Sequence, residues 1–203
     1  MLTVLVNGSP KGGKSASGCV LDEIKKQMPK NVDIKEINVK KGKVSDEEMA
    51  VLKEADSIMI AFPLYVDGVP SHLLRCMEQI RDIKAGVYAI CNCGFYEAVQ
   101  NRHALKIMEN WCAANGLKWK RGMGIGGGGA LGMILPSSNM MLKKKVVKAL
   151  GKMAENAASG KGGENIYVSI GLPRPMYKMA AEMNWRKDLR KNGLKTSDLT
   201  RRI

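Results

Sequence analysis

The sequence predicts a doubly wound α/β fold, in which a five-stranded parallel sheet carries helices on both faces. Strand-like and helix-like segments alternate along the chain, which is typical of right-handed β-α-β units. Residues 57–62 and 86–91 are continuous apolar runs that are short enough to be strands. Runs of this kind indicate strands that are buried on both faces, as in the middle of a parallel sheet.

The element order follows from local periodicity and from the loops that interrupt it. The predicted strands are residues 2–6, 32–39, 57–62, 86–91 and 117–125. The predicted helices are residues 17–27, 46–53, 70–80, 98–115 and 138–155. At 203 residues the chain can bury one substantial core, so residues 1–160 are assigned to a single domain.

Residues 161–203 are predicted to be a basic C-terminal extension. Met176, Met179, Ala180 and Met183 are spaced at i, i+3, i+4 and i+7, which predicts a helix with one apolar stripe. We expect this stripe to pack on the same domain or on a second copy of the chain.

Charge and composition exclude several classes of protein. The formal net charge is +14, but only 5% of residues are aromatic and no zinc-ligand spacing occurs, so no nucleic-acid partner is expected. No apolar run approaches the roughly 20 residues that a membrane-spanning helix needs, so no stable membrane insertion is expected. The five cysteines are odd in number and scattered, which favours reduced thiols in a cytoplasmic protein.

The loop after the first strand, residues 7–18, has the composition of a phosphate site. It supplies glycines, serine hydroxyls and lysines at the start of a helix, whose backbone N–H groups attract anions. Gly8 to Ser15 also fits the G-x-x-x-x-G-K-[ST] pattern of nucleotide triphosphatases. Such enzymes hold magnesium with a further carboxylate, whereas the buried strands here end in Phe62-Pro63 and Cys91-Asn92. A P-loop triphosphatase remains an alternative.

Two further loops follow strands of the sheet, at residues 63–71 and 92–97. Both combine glycine with aromatic residues, and ligands of open α/β sheets bind at the carboxyl ends of the strands. Together with the phosphate loop they suit a planar ring bound by backbone groups. The glycine cluster at 124–132 contains a formal G-x-G-x-x-G but no acidic residue at the ribose spacing, so it is interpreted as a pliable wall after the fifth strand.

Residues 1–135 resemble the NAD(P)H-dependent FMN reductases of the flavodoxin-like fold. The resemblance is carried by Asn7-Gly-Ser-Pro-Lys11 with Ser15 and Ser17, and by Phe62-Pro-Leu-Tyr-Val-Asp-Gly-Val-Pro-Ser71. It implies an enzyme that binds FMN, takes a hydride from NAD(P)H and reduces a small acceptor such as a quinone, a nitro or azo compound, a flavin or a ferric chelate. It also implies a homodimer.

The resemblance assigns the FMN-binding residues by position. The phosphate contacts would be Ser9, Lys11, Ser15, Ala16 and Ser17. The ring contacts would be Pro63, Leu64, Tyr65 and Val66 on one side, and Asn92, Cys93 and Gly94 at the pyrimidine edge. The family often has arginine in place of Lys11 and Asn-Thr in place of Ala16-Ser17, so one amide contact is missing here. A flavodoxin-type electron carrier is a further alternative, although such carriers are typically acidic.

Overall fold

The computed structural model describes residues 1–39 and 41–200, apart from the side chains of Lys14 and Thr200. The chain forms two compact units, Met1–Gly171 and Leu172–Ile203. The first unit contains the whole sheet and the helices that cover it. The second unit consists of one long helix and a short 3₁₀ turn.

The core of the first unit is a six-stranded parallel sheet with strand order β2-β1-β3-β4-β5-β6. The strands are β1 (Leu2–Asn7), β2 (Asp33–Asn38), β3 (Ser57–Pro63), β4 (Gly86–Asn92), β5 (Lys118–Gly126) and β6 (Ile166–Ser169). The prediction of five strands was wrong by one. The additional strand, β6, pairs with the carboxyl half of β5 from Met123 to Gly126 and lies within the segment that was assigned to the C-terminal extension.

Seven α-helices accompany these strands in the described residues. They are α1 (Ala16–Gln27), α2 (Asp46–Glu54), α3 (Ser71–Gln79), α4 (Arg102–Ala114), α5 (Gly128–Ile134), α6 (Met140–Ser159) and α7 (Arg174–Lys191). Short 3₁₀ helices cover Gly12–Lys14, Ala98–Asn101 and Thr196–Thr200. Every predicted helix is present to within a few residues at its ends, and α5 is additional.

The helices cover the two faces of the sheet because alternate strand residues point to opposite sides. On one face, strand residues such as Val6 and Ile60 form one apolar cluster with Leu52 of α2, Leu73 of α3 and Leu105 of α4. On the other face, α1 and α6 pack together beside β3 and β4. There the Ser57 hydroxyl donates to Ala157 O at 2.9 Å, and the Tyr88 hydroxyl lies 2.8 Å from Asn156 O.

Helix boundaries coincide with capping groups. Ser45 begins α2 with a complete capping box, in which its Oγ accepts from Glu48 N and the Glu48 carboxylate accepts from Ser45 N. Asn139 caps α6 through Met141 N, and α6 ends at Gly160 in the left-handed region. These caps satisfy N–H and C=O groups that have no partner inside a helix.

The glycine cluster forms regular structure rather than the pliable wall that the sequence predicted. β5 continues through Gly126, Gly127 adopts a left-handed φ of 78°, and α5 begins at Gly128. A Cβ at Gly126 would lie 2.0 Å from the carbonyl oxygen of Tyr96, so a side chain has no space there. The glycines allow β5 to lie against the loop after β4.

The second unit is built around α7. Pro173 and Pro175 flank its first residue, and Gly193 with φ 70° follows its end, as is typical of helix termini. Met176, Met179 and Met183 are exposed, as are most of its other side chains. Its packing on the first domain or on a second copy remains a prediction. No helix in the described part of the chain is long and apolar enough to cross a membrane.

Candidate functional site

A cavity of about 240 Å³ opens at the carboxyl ends of β1, β3 and β4. All of the predicted FMN-binding residues except Val66 and Cys93 line it, and Gly128 and Gly129 of α5 line it as well. The full lining is Ser9, Lys11, Ser15, Ala16, Ser17, Pro63, Leu64, Tyr65, Asn92, Gly94, Gly128 and Gly129. Residues that are far apart in sequence therefore meet where an open parallel sheet places its ligands.

The loop between β1 and α1 is held by its own hydrogen bonds. Ser9 N donates to Asn7 Oδ1 at 3.1 Å, and Gly12 N donates to Ser9 O at 3.0 Å. Gly12 has a φ of 66°, which favours glycine. The turn brings Ser9, Lys11 and Ser15 to one side of the cavity.

The N-terminus of α1 contributes backbone donors to this side. Ser15 caps the helix by accepting a hydrogen bond from Gly18 N at 3.0 Å. Ala16 and Ser17 are the first residues of the helix, and N–H groups in this position have no acceptor within the helix. A Cβ at Gly18 would lie 2.2 Å from Gly13 O, so the loop packs directly on the first turn of α1.

The charges of the lining suit an anion. Within the described residues it contains the cation Lys11 and neither aspartate nor glutamate. A helix N-terminus, hydroxyl donors and a lysine together form the usual donor set for phosphate. The same lining offers no carboxylate to hold magnesium, as a P-loop triphosphatase requires.

The loop after β3 supplies the apolar side of the cavity. Leu64 N donates to Asn92 O at 2.8 Å, which continues the pairing of β3 with β4 beyond Pro63. Tyr65 and Gly68 then bond reciprocally at 3.1 and 3.0 Å around Val66 and Asp67, whose φ values are 46° and 57°. Two left-handed residues in succession make a type I′ turn.

This turn explains why Val66 is not part of the lining. Its side chain is fully exposed at the tip of the turn, while Pro63, Leu64 and Tyr65 face the cavity. A β-branched residue is strained in the left-handed region. The strained turn therefore fixes which residues of the loop can contact a ligand.

Cys93 lies behind the cavity instead of lining it. It is buried, its Sγ lies 3.6 Å from Phe95 O, and Asn101 Nδ2 lies 3.3 Å from the sulfur. Its backbone is also engaged, since Cys93 N donates to Ile125 O and Cys93 O accepts from Gly128 N. Burial raises the pKa of the Cys93 thiol, which keeps it protonated at neutral pH.

We expect the cysteines to differ sharply in reactivity. In the native protein, iodoacetamide at neutral pH should alkylate Cys19 alone and slowly, because Cys19 is half-buried and burial raises its pKa, while the other four are buried. Mass spectrometry of the intact protein would count the adducts, and unfolded protein would serve as the control in which all five react. Rapid labelling of Cys93 would contradict this assignment and indicate a thiolate near the cavity.

Gly128 and Gly129 are site residues that the residue-by-residue assignment missed. Gly128 N donates to Cys93 O at 2.6 Å, and a Cβ at Gly128 would lie 2.7 Å from the same oxygen. The start of α5 is thereby held against the loop after β4. The sequence did contain a signal for these two residues, because both belong to the glycine cluster at 124–132 that was predicted to follow the fifth strand.

The aromatic and histidine residues around the site take different positions. Tyr65 lines the cavity and Phe95 does not, although both rings are about half exposed. His72 Nε2 lies 3.1 Å from Gly8 O, which places this histidine as a support of the loop between β1 and α1. His103 lies on the exposed side of α4.

The strand order 2-1-3-4-5, extended by β6 at the edge, and a site at the carboxyl ends of the strands define a doubly wound α/β protein. Solved structures share this architecture. An NADH:FMN oxidoreductase in its apo form is 14% identical, with a TM-score of 0.58 over 86% of this chain and 97% of that one. An NADPH-quinone reductase from P. pentosaceus is 12% identical, with a TM-score of 0.56 over 80% of this chain and 100% of that one.

A WrbA-like flavodoxin from Agrobacterium tumefaciens is 16% identical, with a TM-score of 0.52 over 78% of this chain and 96% of that one. No protein-family model matches the sequence. No curated protein matches it either. At these identities the likeness shows the fold, so the chain has the flavodoxin-like fold that its motifs predicted.

Proposed function

We propose that this protein is an FMN-dependent NAD(P)H oxidoreductase that reduces a small acceptor. The observation that carries the proposal is the cavity, which joins the N-terminus of α1, with its hydroxyl and lysine donors, to an apolar turn after β3. The similar solved structures support it, because their names include NADH:FMN oxidoreductase and NADPH-quinone reductase. A cytoplasmic homodimer is part of the proposal, and the identity of the acceptor is left open.

The residues of the cavity fit FMN at its phosphate end. Ser15 Oγ accepts from Gly18 N, so its single proton can be donated to an anion. The first amides of α1, the Ser9 hydroxyl and the Lys11 ammonium group add further donors. We assign the FMN phosphate to Ser9, Lys11, Ser15, Ala16 and Ser17.

The opposite side of the cavity fits the ring. Pro63, Leu64 and Tyr65 present apolar surface, and Gly94, Gly128 and Gly129 allow close approach of a ligand to the backbone. A cavity of about 240 Å³ is below the roughly 300–1,000 Å³ of typical ligand pockets, so a ligand held here would keep part of its surface open. An open ring face suits a second substrate that must stack on it.

Bound FMN would supply the redox chemistry by accepting a hydride from the nicotinamide and passing the electrons to the acceptor. The protein's own residues bind and orient the flavin. The half-exposed ring of Tyr65 borders the open side of the cavity, where it can pack against the nicotinamide or the acceptor. The proposal leaves open whether NADPH or NADH is the donor.

The proposal is tested by a visible absorption spectrum of the purified protein with added FMN, taken before and after anaerobic NADPH or NADH. We expect a bound-flavin spectrum that bleaches with at least one of the two nucleotides. Bound flavin that bleaches with neither would indicate an electron carrier. No flavin binding, together with magnesium-dependent nucleotide hydrolysis, would instead support the P-loop interpretation of residues 8–15.

Replacing Lys11 with alanine should weaken FMN binding by about 10- to 100-fold, because a charge-assisted contact to phosphate contributes about 1.5–3 kcal/mol. The loss should shrink as salt is added, since Lys11 is exposed. Flavin fluorescence titration would measure both effects. The matched control is Lys53→Ala on α2, which is exposed and does not line the cavity. Equal FMN affinity in the two variants would remove Lys11 from the site.

A further inference from the structure

Asn92 ties together three parts of the candidate site, two through its side chain and one through its backbone. Asn92 is 4% exposed at the end of β4, and its Nδ2 donates to Ser17 Oγ at 2.9 Å and to Phe62 O at 3.0 Å. The backbone carbonyl of Asn92 accepts a hydrogen bond from Leu64 N. The residue thus joins the start of α1, the end of β3 and the loop that forms the apolar side of the cavity.

These bonds leave the amide nitrogen of Asn92 without a proton for a ligand. A side-chain amide carries two N–H donors, and both are directed at protein oxygens. The nitrogen therefore does not donate to the pyrimidine edge of the flavin, where the sequence resemblance placed Asn92. The donor that reaches the cavity must belong to a neighbouring group.

Ser17 is that neighbour. It is 1% exposed, occupies the second position of α1 and lines the cavity. A hydroxyl has one proton and can accept through its lone pairs. The Asn92 amide donates to Ser17 Oγ, so the hydroxyl proton of Ser17 points away from Asn92. An anion in the cavity could accept that proton in a hydrogen bond. Accepting one hydrogen bond also strengthens a hydroxyl as a donor.

We propose that Asn92 is a positioning residue, which orients the Ser17 hydroxyl toward the phosphate of the bound flavin. The inference rests on the proposed function, since it presupposes that the cavity binds FMN. It gives the amide nitrogen of Asn92 the role of a support for the start of α1. Asn92 also links the phosphate side of the cavity to the apolar side, because its backbone carbonyl accepts a hydrogen bond from Leu64 N.

Riboflavin separates this role from a ring contact because it has the same ring as FMN and no phosphate. In Asn92→Leu, which has a similar volume and no donor, the dissociation constant for FMN should rise about tenfold, the effect of one lost hydrogen bond. Riboflavin affinity should change less than about threefold, well under the effect of one hydrogen bond. Equal weakening of both ligands would overturn the proposal.

A double-mutant cycle with Ser17→Ala tests whether Asn92 acts through Ser17. If it does, the double variant should bind FMN about as well as Ser17→Ala alone, because the second change removes nothing further. Additive losses would show that Asn92 contributes to FMN binding independently and would overturn the proposal. Asn92→Ala, which also removes the donor without adding a charge, serves as a second variant with the same expected results if Asn92→Leu does not fold.

Asn101→Leu is the matched control for the loss of a buried amide. Asn101 is also fully buried, and its Nδ2 bonds to Ala98 O and Ile125 O without reaching Ser17. The Asn101→Leu variant should have lower thermal stability than wild type and an unchanged ratio of FMN to riboflavin affinity. A shift of this ratio as large as that of Asn92→Leu would overturn the proposal.

Wild-type protein that binds neither flavin would overturn the proposed function itself, whereas normal FMN binding by Asn92→Leu would overturn only the role of Asn92.

Discussion

Ser15→Asp is expected to abolish most FMN binding without unfolding the protein. Aspartate caps helices about as well as serine, so it should keep the bond to Gly18 N and hold stability within about 0.5 kcal/mol of wild type. Its carboxylate would however stand among the proposed phosphate donors and repel the phosphate. We expect the dissociation constant for FMN to rise on the order of 100-fold or more, as two lost or reversed charge contacts would give.

The matched control is Ser45→Asp, which makes the same change at the cap of α2. Ser45 Oγ accepts from Glu48 N at 3.2 Å, and Ser45 is not part of the cavity lining. FMN affinity should stay unchanged in this variant. The FMN affinity of Ser15→Ala should lie between those of Ser15→Asp and Ser45→Asp, because one phosphate donor is removed. This variant should also lose about 1 kcal/mol of stability with the helix cap. Wild-type FMN affinity in Ser15→Asp would show that the phosphate is not bound at this helix.

Gly126→Ala, at the end of β5, is expected to lower the stability of the protein substantially. The new Cβ would lie 2.0 Å from Tyr96 O and 2.8 Å from Ala98 N, and both are backbone atoms that cannot rotate away. Overpacking of this kind costs about 1–3 kcal/mol or more. For a protein of this size that corresponds to a fall in melting temperature of roughly 2–12 °C. Thermal unfolding followed by circular dichroism would measure it.

Gly132→Ala is the control for this substitution. Gly132 lies in α5, and an added Cβ would meet no atom within 4 Å in the described structure. Alanine is the better helix former by up to about 1 kcal/mol, so this variant should match or exceed wild-type stability. Equal melting temperatures for the two variants would mean that the loop after β4 moves away from Gly126 at little cost.

The central part of the fold was predictable because its signals are strong. β3 and β4 are uninterrupted apolar runs, and the amphipathic pattern of α4 spans more than three turns. β6 was missed because it has only four residues and is partly exposed at the edge of the sheet. A strand so short carries no periodicity, and its pairing with β5 is a property of the assembled sheet. The same holds for α5, whose glycine-rich sequence has low helix propensity.

The part of the candidate site that depends only on which loop follows which strand was predictable from the sequence. Ser9, Lys11 and Ser15 follow β1, and the carboxyl ends of parallel strands share one edge of the sheet. Side-chain direction was not predictable in the same way. Val66 turns outward because two successive left-handed residues form the turn, and Asn92 turns inward because Ser17 and Phe62 offer it acceptors. Both depend on tertiary contacts.

β6 also protects the sheet from unwanted pairing. Without it, the N–H and C=O groups of β5 from Met123 to Gly126 would form an open edge, and the strand is buried and uncharged there. Unpaired edges of this kind recruit strands from other molecules. A chain shortened at residue 160 would retain every residue of the cavity lining and yet lose this cover. The segment after α6 thus ends the sheet on a short, partly exposed strand in place of the buried end of β5, which is the kind of edge that resists pairing between molecules.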